Sequence, residues 1–97
     1  MLTSKQRAFL RSMANSIDTI VMVGKGGITT KIIKQVTDAL RARELIKGKV
    51  LETSGIEVRD CADEISSQVA ADVVQVIGTK FVLYKKNYKE SKISIPK

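Results

Sequence analysis

A chain of 97 residues with 17 Lys and Arg against 10 Asp and Glu, a net charge of +7, one cysteine and no histidine excludes several classes of function. One cysteine cannot close an internal disulfide, and without histidine the usual zinc ligand sets and the commonest general base at neutral pH are missing. No apolar run approaches the ~20 residues of a membrane-spanning helix, and Met1–Lys5 leads into an amphipathic pattern without a secretion signal's apolar block, so a cytoplasmic protein is expected.

The length fits one domain burying roughly 60–68% of its unfolded surface. Thr3 followed by Gln6 predicts a capping box, and Phe9, Leu10, Met13 and Ile17 then recur at helical spacing, leaving Lys5, Arg7 and Arg11 mainly outside the apolar stripe. Ile20–Val23 reads as a strand: short and rich in β-branched residues. After Gly24-Lys25-Gly26-Gly27, Thr29 is the expected N-cap of a second helix, with Ile28 and Ile33 spaced as a hydrophobic staple. Ile32, Ile33, Val36 and Leu40 form its core face; Lys31, Lys34 and Arg41 share a solvent face.

Leu45–Leu51 predicts a strand with Lys47 and Lys49 on one face and Ile46 and Val50 on the other, weakened or bulged at Gly48. Val58, Cys61, Ala62, Ile65 and Val69 mark a third helix whose polar positions, Glu57, Asp60, Asp63 and Glu64, are acidic; Cys61 falls on its apolar face as an inert core residue. Val73–Ile77 and Phe81–Tyr84 are two strands joined by Gly78-Thr79-Lys80. The order α-β-α-β-α-β-β implies an α/β domain, residues 1–85, with a mixed four-stranded sheet covered by helices on at least one face; residues 86–97 form a basic, mobile tail.

Chemistry concentrates at Gly24–Gly27. Glycine lets a backbone approach a ligand closely, and the helix beyond directs unpaired N–H groups and a positive dipole end to the same place, which suits phosphate. A tight connection serving chain geometry alone is the other reading. Charge is segregated: residues 1–55 hold ten basic and four acidic side chains, residues 56–72 one and five, and residues 73–97 six and one. A cationic surface turned away from an acidic one favours a polyanionic partner, against the plainer reading of a solvated surface. Neither Gly24-Lys25 nor Gly48-Lys49 completes a P-loop, because Gly26 and Val50 follow where Ser or Thr is needed, and Thr29 breaks the dinucleotide fingerprint. Nothing in the sequence points to a catalytic residue, a metal site, a cofactor or a small-molecule substrate, and the reading is of a binding protein, not an enzyme.

Leu2-Thr3-Ser4-Lys5-Gln6-Arg7 with Leu10-Arg11, the run Val23–Thr29, Glu44-Leu45-Ile46-Lys47, Val74-Gln75-Val76-Ile77-Gly78 and Leu83-Tyr84 resemble the YhbY family, stand-alone bacterial members of the chloroplast RNA splicing and ribosome maturation (CRM) domain. Two positions depart from that pattern: Arg43 where histidine is expected, and Gly48 where a β-branched residue is. The resemblance implies a fold similar to the C-terminal domain of translation initiation factor 3. It also implies RNA binding through a G-x-x-G loop that acts like the loop of KH modules. It further implies a ribosome-assembly factor whose partner is precursor large-subunit ribosomal RNA, with ribosomal proteins as further partners.

On this reading the amides of Lys25, Gly26 and Gly27, in the loop opened by Gly24, contact phosphate. Lys31 and Lys34 extend the patch, and Lys5, Arg7 and Arg11 join it if the first helix packs nearby. Two alternatives stand beside it: a nucleoid or DNA-binding protein, and a protein-interaction module docking on ribosomal proteins through the acidic third helix.

Overall fold

Helix α1 (Ser4–Ala14) begins where the sequence marks it. The Thr3 hydroxyl accepts from the Gln6 amide at 3.1 Å and the Gln6 side chain accepts from the Thr3 amide at 3.0 Å, closing the capping box. The computed structural model describes residues 2–87 and Ile93. Strand β1 (Thr19–Val23) follows, then α2 (Thr30–Arg43), β2 (Leu45–Val50), a 3-10 turn at Glu52–Ser54, α3 (Val58–Val69), β3 (Asp72–Ile77) and β4 (Lys80–Tyr84). Most of the expected tail falls outside the described residues.

The strands form one mixed sheet in the order β1-β2-β4-β3. Strands β1 and β2 are parallel, joined through α2, whereas β4 runs antiparallel to both neighbours. The second crossover, through α3, therefore leaves a gap that β4 fills by folding back on β3. The hairpin turn is tighter than expected. Ile77 pairs with Lys80, so only Gly78 and Thr79 lie in the turn, Gly78 at a φ of 58°. Lys80 belongs to β4, not to the loop.

Helices cover both faces. Val36 and Leu40 of α2 and Cys61, Ala62, Ile65 and Val69 of α3 pack with Val21, Val23, Ile46, Val50, Phe81 and Leu83. On the other face Leu10 and Ala14 of α1 pack with Leu45, Val74, Val82 and Tyr84, and Phe9, Met13 and Ile17 add partly buried surface. Burial raises the Cys61 thiol pKa above its ordinary value, as desolvation disfavours the thiolate. Gly48 lies within β2 without interrupting its pairing to β4; the irregularity sits opposite, in β1 between Thr19 and Val21.

Candidate nucleic-acid interface

The Gly24–Gly27 loop leaves the sheet at the C-terminal end of β1. A hydrogen bond from the Leu51 amide to the Val23 carbonyl, 2.8 Å, ties its root to the segment after β2. Within the loop the Gly27 amide donates to the Gly24 carbonyl at 2.9 Å, making a tight turn, and Gly27 takes a φ of 70°, which glycine adopts without a Cβ clash. The turn rests on the residues after β2: a Cβ at Gly24 would lie 3.5 Å from Leu51 Cδ1, and one at Gly27 would lie 3.5 Å from Ile56 Cδ1.

Lys25 and Gly26 form the exposed tip. Among the described residues their amides donate to no backbone acceptor, whereas the Gly27 amide is spent inside the turn. The loop thus offers two N–H groups without a backbone acceptor and one ammonium, not the three amides expected.

Thr29 caps α2 as expected, its hydroxyl accepting from the Ile32 amide at 3.2 Å. Ile28 and Ile33 both pack on the α2–α3 core. This holds the positive end of α2 directly behind the tip. Lys31 and Lys34 are exposed in the first two turns. Lys34 is not a free cation: its ammonium donates to Asp38 at 2.8 Å, one turn further on, and this contact holds the Asp38 carboxyl below its ordinary pKa. Arg41 and Arg43 are exposed at the far end of α2, about 20 Å from the loop at 1.5 Å per residue.

The first-helix cations lie elsewhere. Helix α1 covers the sheet face opposite α2, and its anchors Leu45, Val82 and Tyr84 sit toward the start of β2, whereas the loop lies beyond its end. Lys5 and Arg11 are exposed there. Arg7 is half-buried, its Nη1 donating to the Val73 carbonyl on the irregular stretch of edge strand β3. That contact gives Arg7 a structural partner far along the chain.

The acidic residues of α3 are exposed on the α2–α3 side. Glu57 and Asp60 sit at its N-terminal end, where negative charge complements the helix dipole. Sequence reasoning missed Lys80, Met22 and Ile77 as surface features. The sequence pattern puts Lys80 in a turn, and the other two look like core residues in any hydropathy pattern.

Comparison with known proteins fits this architecture. A family model for the CRS1/YhbY (CRM) domain matches residues 2–85. The Bacillus subtilis protein named "Probable RNA-binding protein YqeI" is 43% identical over 96 residues, covering 99% of this chain and 100% of that one. A Haemophilus influenzae protein named "RNA-binding protein" is 33% identical over 96 residues, covering 99% of this chain and 96% of that one. The solution structure of a Staphylococcus aureus protein superposes with a TM-score of 0.79 at 39% identity, over 99% of this chain and 100% of that one. The chain belongs to the CRS1/YhbY (CRM) domain family.

Proposed function

We propose that this protein binds RNA without catalysing a reaction, that it grips phosphate at the Lys25–Gly26 tip, and that its target is precursor large-subunit ribosomal RNA during assembly. One observation carries the reading: a rigid glycine turn presents two amides without backbone acceptors and one lysine directly ahead of a Thr29-capped helix. Amides without backbone acceptors, an ammonium and a positive helix end follow one another there within a few residues of chain, a combination suited to an anion. The net charge of +7 adds a long-range attraction for a polyanion. Relatives named as RNA-binding proteins support RNA as that polyanion.

Titration of precursor large-subunit RNA with wild type and Lys25→Glu, across a salt series, tests this. The variant keeps its circular dichroism spectrum but binds more weakly with a shallower salt slope, because one fewer phosphate counterion is released. Unchanged affinity and slope would reduce the loop to chain geometry. Displacement of the RNA by duplex DNA of equal length at lower concentration would favour a DNA-coating protein instead.

A further inference from the structure

Strand alternation and register bring four side chains into one row across the sheet. Met22 of β1 pairs with Lys49 of β2, Lys49 with Lys80 of β4, and Lys80 with Ile77 of β3. The row crosses all four strands, about 14 Å at a strand spacing near 4.8 Å. Its neighbours Val21, Val23, Val50 and Phe81 face α2 and α3, so the row faces the other way, onto the side that carries α1. Helix α1 packs on Leu45, Val74, Tyr84 and Val82, so its cover extends to the row beside this one, and its cluster includes none of the four residues of the row itself.

Met22 is 57% exposed and Ile77 61%, and they are the exposed large hydrophobic residues among those described. Half-buried Lys47 and Gln75 occupy the next row, both paired with Val82. With Thr19, which pairs with Lys47, the strand residues of these two rows besides buried Val82 are two apolar side chains, three lysines, a glutamine and a threonine, with no carboxylate. The surface adjoins the glycine turn, because Met22 lies near the end of β1, two residues before Gly24 opens the loop.

We infer that this open half-sheet is a second contact surface for single-stranded RNA, taking unpaired bases of the strand whose phosphate rests at the Lys25–Gly26 tip. The inference rests on the RNA-binding reading above and adds where the bases lie. Charge complementarity selects the occupant: a face with three cations and no anion suits a polyanion better than an average protein surface. The apolar pair then selects the kind of contact, since phosphate alone gains nothing from Met22 and Ile77. A flexible, polarisable thioether and a β-branched side chain offer sequence-tolerant apolar contact to exposed base faces, which a duplex hides in its stack. Two exposed apolar side chains with lysines between them, beside the proposed phosphate-binding loop, are the surface expected of such a platform.

The test compares a short single-stranded RNA with the same strand annealed to its complement, using wild type, Met22→Ser/Ile77→Ser and Lys25→Glu. Both residues of the double variant are exposed, so its melting temperature should match wild type. The expected result is about a tenfold loss of affinity for the single strand with an unchanged salt slope, because apolar contact releases no counterions, and little change for the duplex. Lys49→Gln/Lys80→Gln should instead lower both affinity and slope. If the serine variant binds the single strand like wild type while Lys25→Glu does not, the sheet-face inference fails and the loop reading survives. Equal losses on single strand and duplex would also overturn it, since base contact predicts a difference. Loss by the serine variant with no effect of Lys25→Glu would support the platform and sink the loop.

Discussion

Gly48 and Phe81 are locked together across β2 and β4. They pair in register, and a Cβ built at Gly48 would lie 2.3 Å from Phe81 Cζ, with the other near ring carbons at 2.7 and 2.8 Å. The ring is fully buried between the sheet and its helices and has no room to retreat. Glycine here makes space for an aromatic ring, so the usual cost of a strand glycine is offset by burial of a phenyl group. Gly48→Ala should therefore destabilise the fold by about 2–3 kcal/mol, at the upper end for overpacking a core. Urea unfolding measures it. Because the clash is with one side chain, Phe81→Leu should cost less in the Gly48→Ala background than in wild type; additive effects would place the clash elsewhere.

Gly26 separates geometry from recognition. Its φ lies outside the left-handed region and an added Cβ would lie 3.4 Å from Thr29 Cγ2, so alanine fits with only a small adjustment. Stability of Gly26→Ala should stay within about 0.5 kcal/mol of wild type. If phosphate rests against the tip, the new methyl group stands in its way, and RNA affinity falls about tenfold. Gly27→Ala is the contrast. At a φ of 70° it pays roughly 1–2 kcal/mol of backbone strain whatever binds. Equal affinity for Gly26→Ala and wild type would remove close backbone approach from the binding mechanism.

Arg7 and Arg11 lie one helical turn apart on α1, yet different roles are expected of them. Arg7 donates to the Val73 carbonyl where β3 departs from regular pairing, satisfying an acceptor on an edge strand; Arg11 is exposed. Arg7→Ala should cost about 1–2 kcal/mol in chemical denaturation, the range for a charge-assisted hydrogen bond to a partly buried carbonyl, and Arg11→Ala close to nothing. If both variants unfold like wild type, Arg7 is free to serve as a surface cation.

What could be read from the chain was whatever is encoded locally. The Thr3–Gln6 box, the Thr29 cap and the periodicity of Val58–Val69 involve partners within one or two turns, and each appears where expected. The alternation of β2 likewise placed Lys47 and Lys49 opposite Ile46 and Val50. Features set by distant partners were not legible. An apolar stripe says that α1 must pack, but not against which sheet face, and so the fate of Lys5, Arg7 and Arg11 stayed open. Gly48 looked like a weakness because Phe81 belongs to a strand that the chain forms much later. Glu44 is the least legible residue. A glycine would be expected at its φ of 65°, yet it is a fully buried carboxylate that accepts from the Asn87 amide at 3.2 Å, while its carbonyl accepts from the Lys85 amide at 2.9 Å. Those contacts stitch the end of β4 to the α2–β2 junction and could not be foreseen from a helix-ending Arg-Glu-Leu.

The Lys34–Asp38 pair bears on how much of the α2 surface is available to RNA. Both side chains are exposed, so the pair contributes little to stability, but it occupies a candidate phosphate contact. The Lys34 hydrogen bond, with its charge second, lowers the Asp38 pKa. A depressed carboxyl pKa means that the pairing is fully present above the ordinary carboxylate range and is lost as the pH falls through the lowered value. At neutral pH the pair is therefore intact, and RNA must compete with Asp38 for the ammonium. Asp38→Asn removes the competitor. If Lys34 faces the RNA, affinity should rise a few-fold and the salt slope should steepen, by at most about 0.7–0.9 for one added phosphate contact. Carbon NMR of the Asp38 carboxyl should show its titration moving up in Lys34→Met, which verifies the pair independently of binding. Should that shift occur while Asp38→Asn leaves affinity and slope unchanged, Lys34 lies outside the interface and the phosphate track ends at Lys31.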